Sequence, residues 1–213
     1  YKPINRESFN SELYSSIIEK HDIEIDTSYD TIHEIVTQCS VGTEIDLQNI
    51  SRRISNDLPD KMSYDEVLKH IANSMIAMSS HHMDYSKIAS NLAVHRLHSI
   101  TPDNLSDVAD LLQQNLDRNG DLSPILSSET YDVIKLNSRI LEAAIDYSKD
   151  YDIDYFGLKT LERSYLYRLQ NTKYKIIERP QHLFMRVALG IHGSNISKAI
   201  QTYTMMSNRL FTH

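Results

Sequence analysis

SYDEVLKHIANSMIAM, residues 63–78, and DYSKIASNLAVHRL, residues 84–97, decide the fold class. Ser63 followed by Glu66 is a capping box, in which hydroxyl and carboxylate satisfy backbone N–H groups at a helix start, so a helix begins at Ser63. From there Val67, Leu68, Ile71, Met75, Ile76 and Met78 recur with a period near 3.6 and fall on one face. Asp84 is read as the cap of a second helix carrying Ile88, Ala89, Leu92, Ala93 and Leu97 on one side. Each stripe needs a partner to leave water, and the nearest partner is the other stripe. The two helices are expected to pack as a hairpin.

Upstream, 29–38 and 47–56 read as shorter helices, the second ended by Leu58-Pro59 because the proline ring disfavours a helical Leu58. Four helices thus precede Thr101-Pro102, which is taken as a domain boundary because proline starts or stops helices. Beyond it Leu105, Val108, Leu111, Leu112 and Leu116 form another stripe, with Asn119-Gly120 as its left-handed stop. Further helices are expected over 130–148, 158–169, 181–192 and 195–210, and a short strand over 174–178. With five glycines and five prolines, mostly between these runs, the expected fold is all-α, mainly helical.

Apolar residues make up 40% and charged residues 24% of the 213, an ordinary globular composition. No run approaches the roughly 18 apolar residues of a membrane span and the first 16 residues are polar, so no membrane contact and a cytoplasmic location are expected. The net charge of −7 opposes nucleic-acid binding, which depends on Lys and Arg neutralising phosphates. One cysteine, Cys39, excludes an internal disulfide and a cysteine-rich zinc site. The opening at Tyr1 rather than methionine, and the ending at His213 without a breaker, read as a piece of a longer chain.

Charge is uneven. Lys159, Arg163, Arg168, Lys173, Lys175, Arg179 and Arg186 face only Glu162 and Glu178 between 159 and 186. This is either a solvated or subunit-facing surface or a rim toward a phosphate-bearing substrate. His81, His82, His95 and His98 include an i, i+3 pair, but no H-E-x-x-H and no matching carboxylate accompany them, so capping and surface roles are preferred to metal ligation. No catalytic acid or base is assigned, and neither G-x-x-x-x-G-K-[ST] nor G-x-G-x-x-G is present to cradle phosphate.

YFGLKTLERSYL (155–166) and ERPQHLFMRVALGIH (178–192), followed in order by AIQTY (199–203) and FTH (211–213), closely resemble blocks of ribonucleotide reductase large subunits. The resemblance implies that 101–213 is that family's N-terminal helical domain. It leads there into a loop that holds the substrate phosphates and a ten-stranded α/β barrel, both beyond this sequence. More faintly, Tyr29-Asp30 with Ile32, Ser63 to Met78 and His82-Met83-Asp84-Tyr85 with Ile88-Ala89 and Leu92-Ala93-Val94 are similar to the family's regulatory ATP-cone. That implies a cone-like four-helix part over 29–100 after an N-terminal extension over 1–28. It also places Ser63 and Arg96 against an ATP or dATP effector.

Departures accompany this. The cone's opening V-x-K-R-D-G has no counterpart before Tyr29, its lysine near Leu97 is replaced by His98-Ser99, and its polar helix residue falls at Val67 and Leu68. These changes remove contacts a triphosphate needs, so weak effector binding is expected. The family reduces ribonucleoside diphosphates to deoxyribonucleotides for DNA synthesis by a cysteine thiyl radical, with two further cysteines as reductant. Cys39 cannot fill three roles, so this chain is expected to be inactive alone and to hold no cofactor. The resemblance implies a radical-supplying small subunit as partner and a homodimer in the full protein. The alternative is a free-standing nucleotide-sensing regulatory or adaptor helical module, against which the reductase-like form of 158–192 speaks.

Overall fold

The computed structural model describes residues 23–169 and 175–210. It is predominantly helical, as expected, and its contacts divide into two compact units.

The first unit comprises the described residues up to Ile100 together with Asp150–Ser164. It holds β1 (Glu24–Asp26), α1 (Tyr29–Cys39), α2 (Leu47–Asp57), β2 (Lys61–Ser63), α3 (Tyr64–Ala77), α4 (Met83–Ile100) and, from far along the chain, α8 (Tyr155–Ser164). Side chains of Ser28, Asp46 and Ser63 accept the N–H of Thr31, Asn49 and Glu66, each satisfying an orphan donor at the start of α1, α2 and α3. The α3–α4 hairpin forms as expected and sinks Val67, Leu68, Ile71, Met75, Ile88, Leu92 and Leu97 completely. Ile76 and Met78 lie at its edge, half-buried. β1 and β2 form an antiparallel ribbon with Ile25 opposite Met62, an element the periodicity did not signal. Asp84 is corrected: it lies within the first turn of α4, and its carboxylate accepts the Glu44 N–H at 3.0 Å from the α1–α2 connection instead of capping its own helix.

Substituting Ser63 by alanine is expected to lower stability by about 1 kcal/mol, the usual worth of a lost cap, with Ser63→Asp close to wild type. Urea denaturation of the two variants checks this, and a Ser63→Ala midpoint equal to wild type would contradict it.

The second unit comprises Thr101–Lys149 and the described residues after Ser164. It holds α5 (Leu105–Gln113), α6 (Ser128–Leu136), α7 (Ser138–Ala144), β3 (Arg168–Leu169), β4 (Lys175–Ile176), α9 (Pro180–His192) and α10 (Ile196–Ser207). Leu112, Ile134, Leu141, Leu169, Ile177, Met185, Leu189 and Tyr203 meet in one core. A 3₁₀ helix, Tyr147–Asp152, runs across the sequence point where the units divide.

Three expectations are corrected here. The helix beginning at Leu105 stops at Gln113, not at Asn119-Gly120. Gly120 does take a left-handed φ of +84°, but in a turn where the Asp117 carboxylate accepts the N–H groups of Asn119 and Asp121. The helix expected over 130–148 is two, because Asn137 turns its side-chain amide onto the Val133 carbonyl, competing locally with helix propagation. The helix expected over 158–169 begins earlier, at Tyr155, where Asp154 accepts the Gly157 N–H at 2.7 Å. It ends at Ser164, because Arg168 and Leu169 pair antiparallel with Ile176 and Lys175. The strand expected over 174–178 is therefore present as Lys175–Ile176, with Tyr174 outside the described residues. So are residues 1–22 of the extension and the block 211–213.

Candidate functional site

Arg96 lies in the middle of the apolar face of α4, three residues after Ala93 and four before Ile100, so α4 carries its side chain inward. Its guanidinium is enclosed: Nη1 donates to Asp65 at 2.8 Å from the first turn of α3, and Nη2 donates to Glu162 of α8. Lys159, one turn back on α8, donates to the other Glu162 oxygen at 2.8 Å. Two cations thus meet two carboxylates, leaving no net positive charge. Burial alone lowers the Arg96 pKa, but Glu162 and Asp65 outweigh it and hold the group above its ordinary value. Arg96 Nε is buried without a hydrogen-bond partner.

Ser63 borders the same helix start. Its Oγ donates to the Glu66 carboxylate at 3.2 Å, and Glu24, Lys61 and Glu66 share an open cleft with it. Next to it, Tyr64 Oη and His95 Nε2 are 2.9 Å apart, with burial and then His98 lowering the His95 pKa. The structure thus ties both Ser63 and Arg96 to the start of α3, Ser63 as its cap and Arg96 through Asp65 in a double ion pair. Asp65 and Glu162, which complete this cluster, were not singled out in the sequence. The signal that could have found them is Arg96 itself, a cation inside an apolar stripe that must be paired.

In the second unit, the block 178–192 contributes a polar set in which Glu178 and His182 are fully buried. Glu178 accepts Arg186 Nε at 2.6 Å, Arg186 Nη2 at 3.1 Å and the Tyr167 N–H at 2.8 Å. Arg179 donates from Nε to Thr101 Oγ1 at 3.0 Å and from Nη2 to Asp103 at 2.6 Å. His182 Nδ1 accepts the Arg179 N–H at 3.1 Å, which leaves its Nε2 to donate to Tyr147 Oη at 2.9 Å, and Tyr147 in turn donates to Glu142 at 2.7 Å. Burial and the facing Glu142 raise the Tyr147 pKa. The basic segment 159–186 is thus divided: Arg179 and Arg186 point inward and Lys159 pairs with Glu162, so these three do not form a free phosphate rim, while Arg163 is exposed as on a solvated surface. Lys173 lies outside the described residues.

The remaining candidates take ordinary places. His98 Nε2 bonds the buried Asp150 carboxylate at 2.7 Å while His95 bonds Tyr64, so the i, i+3 pair does not converge on a common point. Cys39 is buried, which pushes its thiol up to about 11 and makes it a poor nucleophile at neutral pH. No helix among the described residues is long and apolar enough to cross a membrane.

With this geometry in view, known proteins give consistent matches. Residues 151–213 match the family model described as ribonucleotide reductase, all-alpha domain. The chain is 39% identical, over 89% of its length, to a ribonucleoside-diphosphate reductase large subunit of Plasmodium falciparum. It is 43% identical over 67% of its length to that of Arabidopsis thaliana, and 38% over 87% to large chain 2 of Saccharomyces cerevisiae. The matched stretches cover 23%, 17% and 21% of those relatives, so the chain spans about a quarter of their length or less. The resemblance read from 155–166 and 178–192 is borne out.

Proposed function

We propose, from the premise that this chain belongs to the ribonucleotide reductase large-subunit family, that it is the part of such a subunit that organises the approach to the catalytic barrel. The whole protein would reduce ribonucleoside diphosphates to deoxyribonucleotides for DNA synthesis, in the cytoplasm, as a homodimer served by a separate radical-generating small subunit. The observation that carries this is the identity of 39% extending over 89% of the chain, well beyond the matched all-alpha domain. The polar residues of the two resembling blocks support it, since Glu162, Glu178, Arg179 and His182 have internal structural partners. A domain built this way positions others; it does no chemistry of its own.

The first unit is read as a cone-like regulatory module over 29–100 that has lost tight binding of ATP and dATP. Arg96, the cation nearest the expected effector position, is neutralised by Asp65 and Glu162. The second unit is read as the reductase N-terminal helical domain.

The chain alone is expected to give no ribonucleotide reduction with a small subunit and a dithiol reductant, because three thiols are needed and Cys39 is one, buried and unactivated. A large subunit containing this chain is expected to turn over under the same conditions. Turnover by the isolated chain that survives Cys39→Ser would refute the reading.

A further inference from the structure

The turn that follows α5 carries a dipeptide whose chemistry the fold leaves unused. Of thirteen asparagines in the chain, Asn119 alone is followed by glycine. Asparagine is thermolabile, and the cause is local: the nitrogen of the next peptide unit can attack the side-chain carbonyl and close a five-membered ring. A side chain on the next residue obstructs that approach, and glycine has none. At Gly120 no heavy atom beyond its chain neighbours lies within 4 Å of where a Cβ would stand, so the space is open. Asn119 is exposed, and its side chain has no hydrogen-bond partner among the described residues. Asn73, Asn91, Asn115, Asn137 and Asn208, by contrast, each spend the side-chain amide on a neighbour.

The turn itself restrains the reaction. Asp117 Oδ1 accepts the N–H groups of Asn119 and Asp121 at 2.8 and 2.9 Å, on either side of Gly120. The Asp117 main-chain carbonyl accepts the Gly120 N–H at 3.1 Å, which ties the attacking nitrogen back across the turn. That nitrogen reacts after losing its proton, and a carboxylate bonded to both flanking amides disfavours the resulting negative charge.

We propose that Asn119 is a site of self-modification, converting through a succinimide to aspartate and isoaspartate at a rate set by Asp117. In the first step the bond between Gly120 N and Asn119 Cγ forms and the bond from Cγ to the amide nitrogen breaks. The proton lost from Gly120 N leaves with that nitrogen as ammonia. Water then opens the ring at one of its two carbonyls, giving aspartate or isoaspartate, and nothing is oxidised or reduced. Either product adds a carboxylate between Asp117 and Asp121. Isoaspartate also lengthens the main chain by one atom inside a turn closed by the Asp117 N–H on the Asp121 carbonyl at 2.8 Å. The bridge of Leu116 with Leu122, and the bonds of Asn115 to Ser123 that hold the turn to the core, are what the longer chain loosens.

The present chain tests this directly. Folded protein incubated at pH 6 and at pH 8, then digested and sequenced by mass spectrometry, is expected to show Asn119 converted ahead of every other asparagine. Conversion is faster at pH 8, because the Gly120 amide must lose its proton, and the product is labelled by a methyltransferase specific for isoaspartate. Asp117→Ala is expected to speed conversion by on the order of tenfold, what one lost hydrogen bond to a charged group corresponds to. Asp117→Asn keeps an acceptor for both N–H groups and is expected to stay closer to wild type. Asn119→Gln, whose longer side chain closes the ring poorly, is expected to abolish labelling in this turn. In the converted fraction, amide exchange at Asp121 and Ser123 is expected to accelerate. Conversion at Asn119 no faster than at the helical Asn73 and Asn91 overturns the proposal. A rate unchanged in Asp117→Ala overturns the control by Asp117.

Discussion

Replacing Arg186 with methionine is expected to destabilise the protein by about 3 to 5 kcal/mol at pH 8, the cost of stranding a buried charge, and by clearly less at pH 5. Glu178 is fully buried and accepts hydrogen bonds from Arg186 and the Tyr167 N–H, and the Arg186 guanidinium also lies 3.9 Å from the centre of the Tyr167 ring. Methionine keeps much of the packing over that ring while removing the charge. Burial pushes the Glu178 carboxyl above its ordinary range, and Arg186 opposes the shift without cancelling it.

The sign of the pH effect follows. A carboxyl whose folded pKa lies above its unfolded value favours the folded state most at low pH, below the unfolded pKa. That contribution is lost as pH rises through the folded pKa. Without Arg186 the folded pKa climbs further, so the loss between pH 5 and pH 8 grows. Adding Glu178→Gln removes the stranded charge, and the double variant should recover most of the stability at pH 8 and lose the pH dependence. Urea titrations of the two variants at both pH values decide it. A single variant that loses less than about 1 kcal/mol, or loses equally at both pH values, would show that the pair does not behave as a buried ion pair.

The elements that were legible in the sequence are those whose signals are local. α3 announced its start through Ser63 and its face through Val67, Leu68, Ile71 and Met75, and the structure uses these groups, with the Glu66 carboxylate accepting the Ser63 hydroxyl. The ribbon of Glu24–Asp26 with Lys61–Ser63 was invisible because three-residue strands carry no period and their pairing bridges more than thirty positions. The break at Asn137 was invisible for another reason: apolar spacing continues across it, and only the amide's bond to Val133 decides against the helix. Asp154 was legible in principle, since an aspartate three residues before Gly157 is an ordinary cap.

At the candidate site the difficulty is that charge type predicts exposure on average, while Glu162, Glu178, Arg96, Arg179 and Arg186 are all turned inward. Ordered sequence blocks located the family without saying what their charged residues do. The geometry supplies that: in 155–166 and 178–192 the charged residues pair largely with one another and with the residues that pack beside them. The basic segment read as a possible phosphate rim is instead partly an internal framework, because every buried cation here has a carboxylate within hydrogen-bond reach.

The same logic separates two roles for Arg96. As an effector contact it would tolerate substitution in the absence of nucleotide. As the centre of a buried cluster it would not, since Arg96→Met takes the guanidinium from Glu162, with a side chain only 9% exposed, and from Asp65, bonded to it at 2.8 Å, while Lys159 stays with Glu162. The expected loss of stability is about 3 kcal/mol, near the lower end for a broken buried pair because Lys159 stays with Glu162. Adding Glu162→Gln should return part of it. Titration of the wild-type chain with ATP and dATP is expected to give weak binding or none. An effector phosphate would have to displace Asp65 or Glu162 from Arg96, and each charge-assisted bond forgone is worth about 1.5 to 3 kcal/mol, so losing two weakens binding by roughly two to four powers of ten. A low-micromolar Kd abolished by Arg96→Met in a variant that keeps wild-type stability would reverse both conclusions. It would mean that the guanidinium leaves its carboxylates for nucleotide and that the first unit senses it.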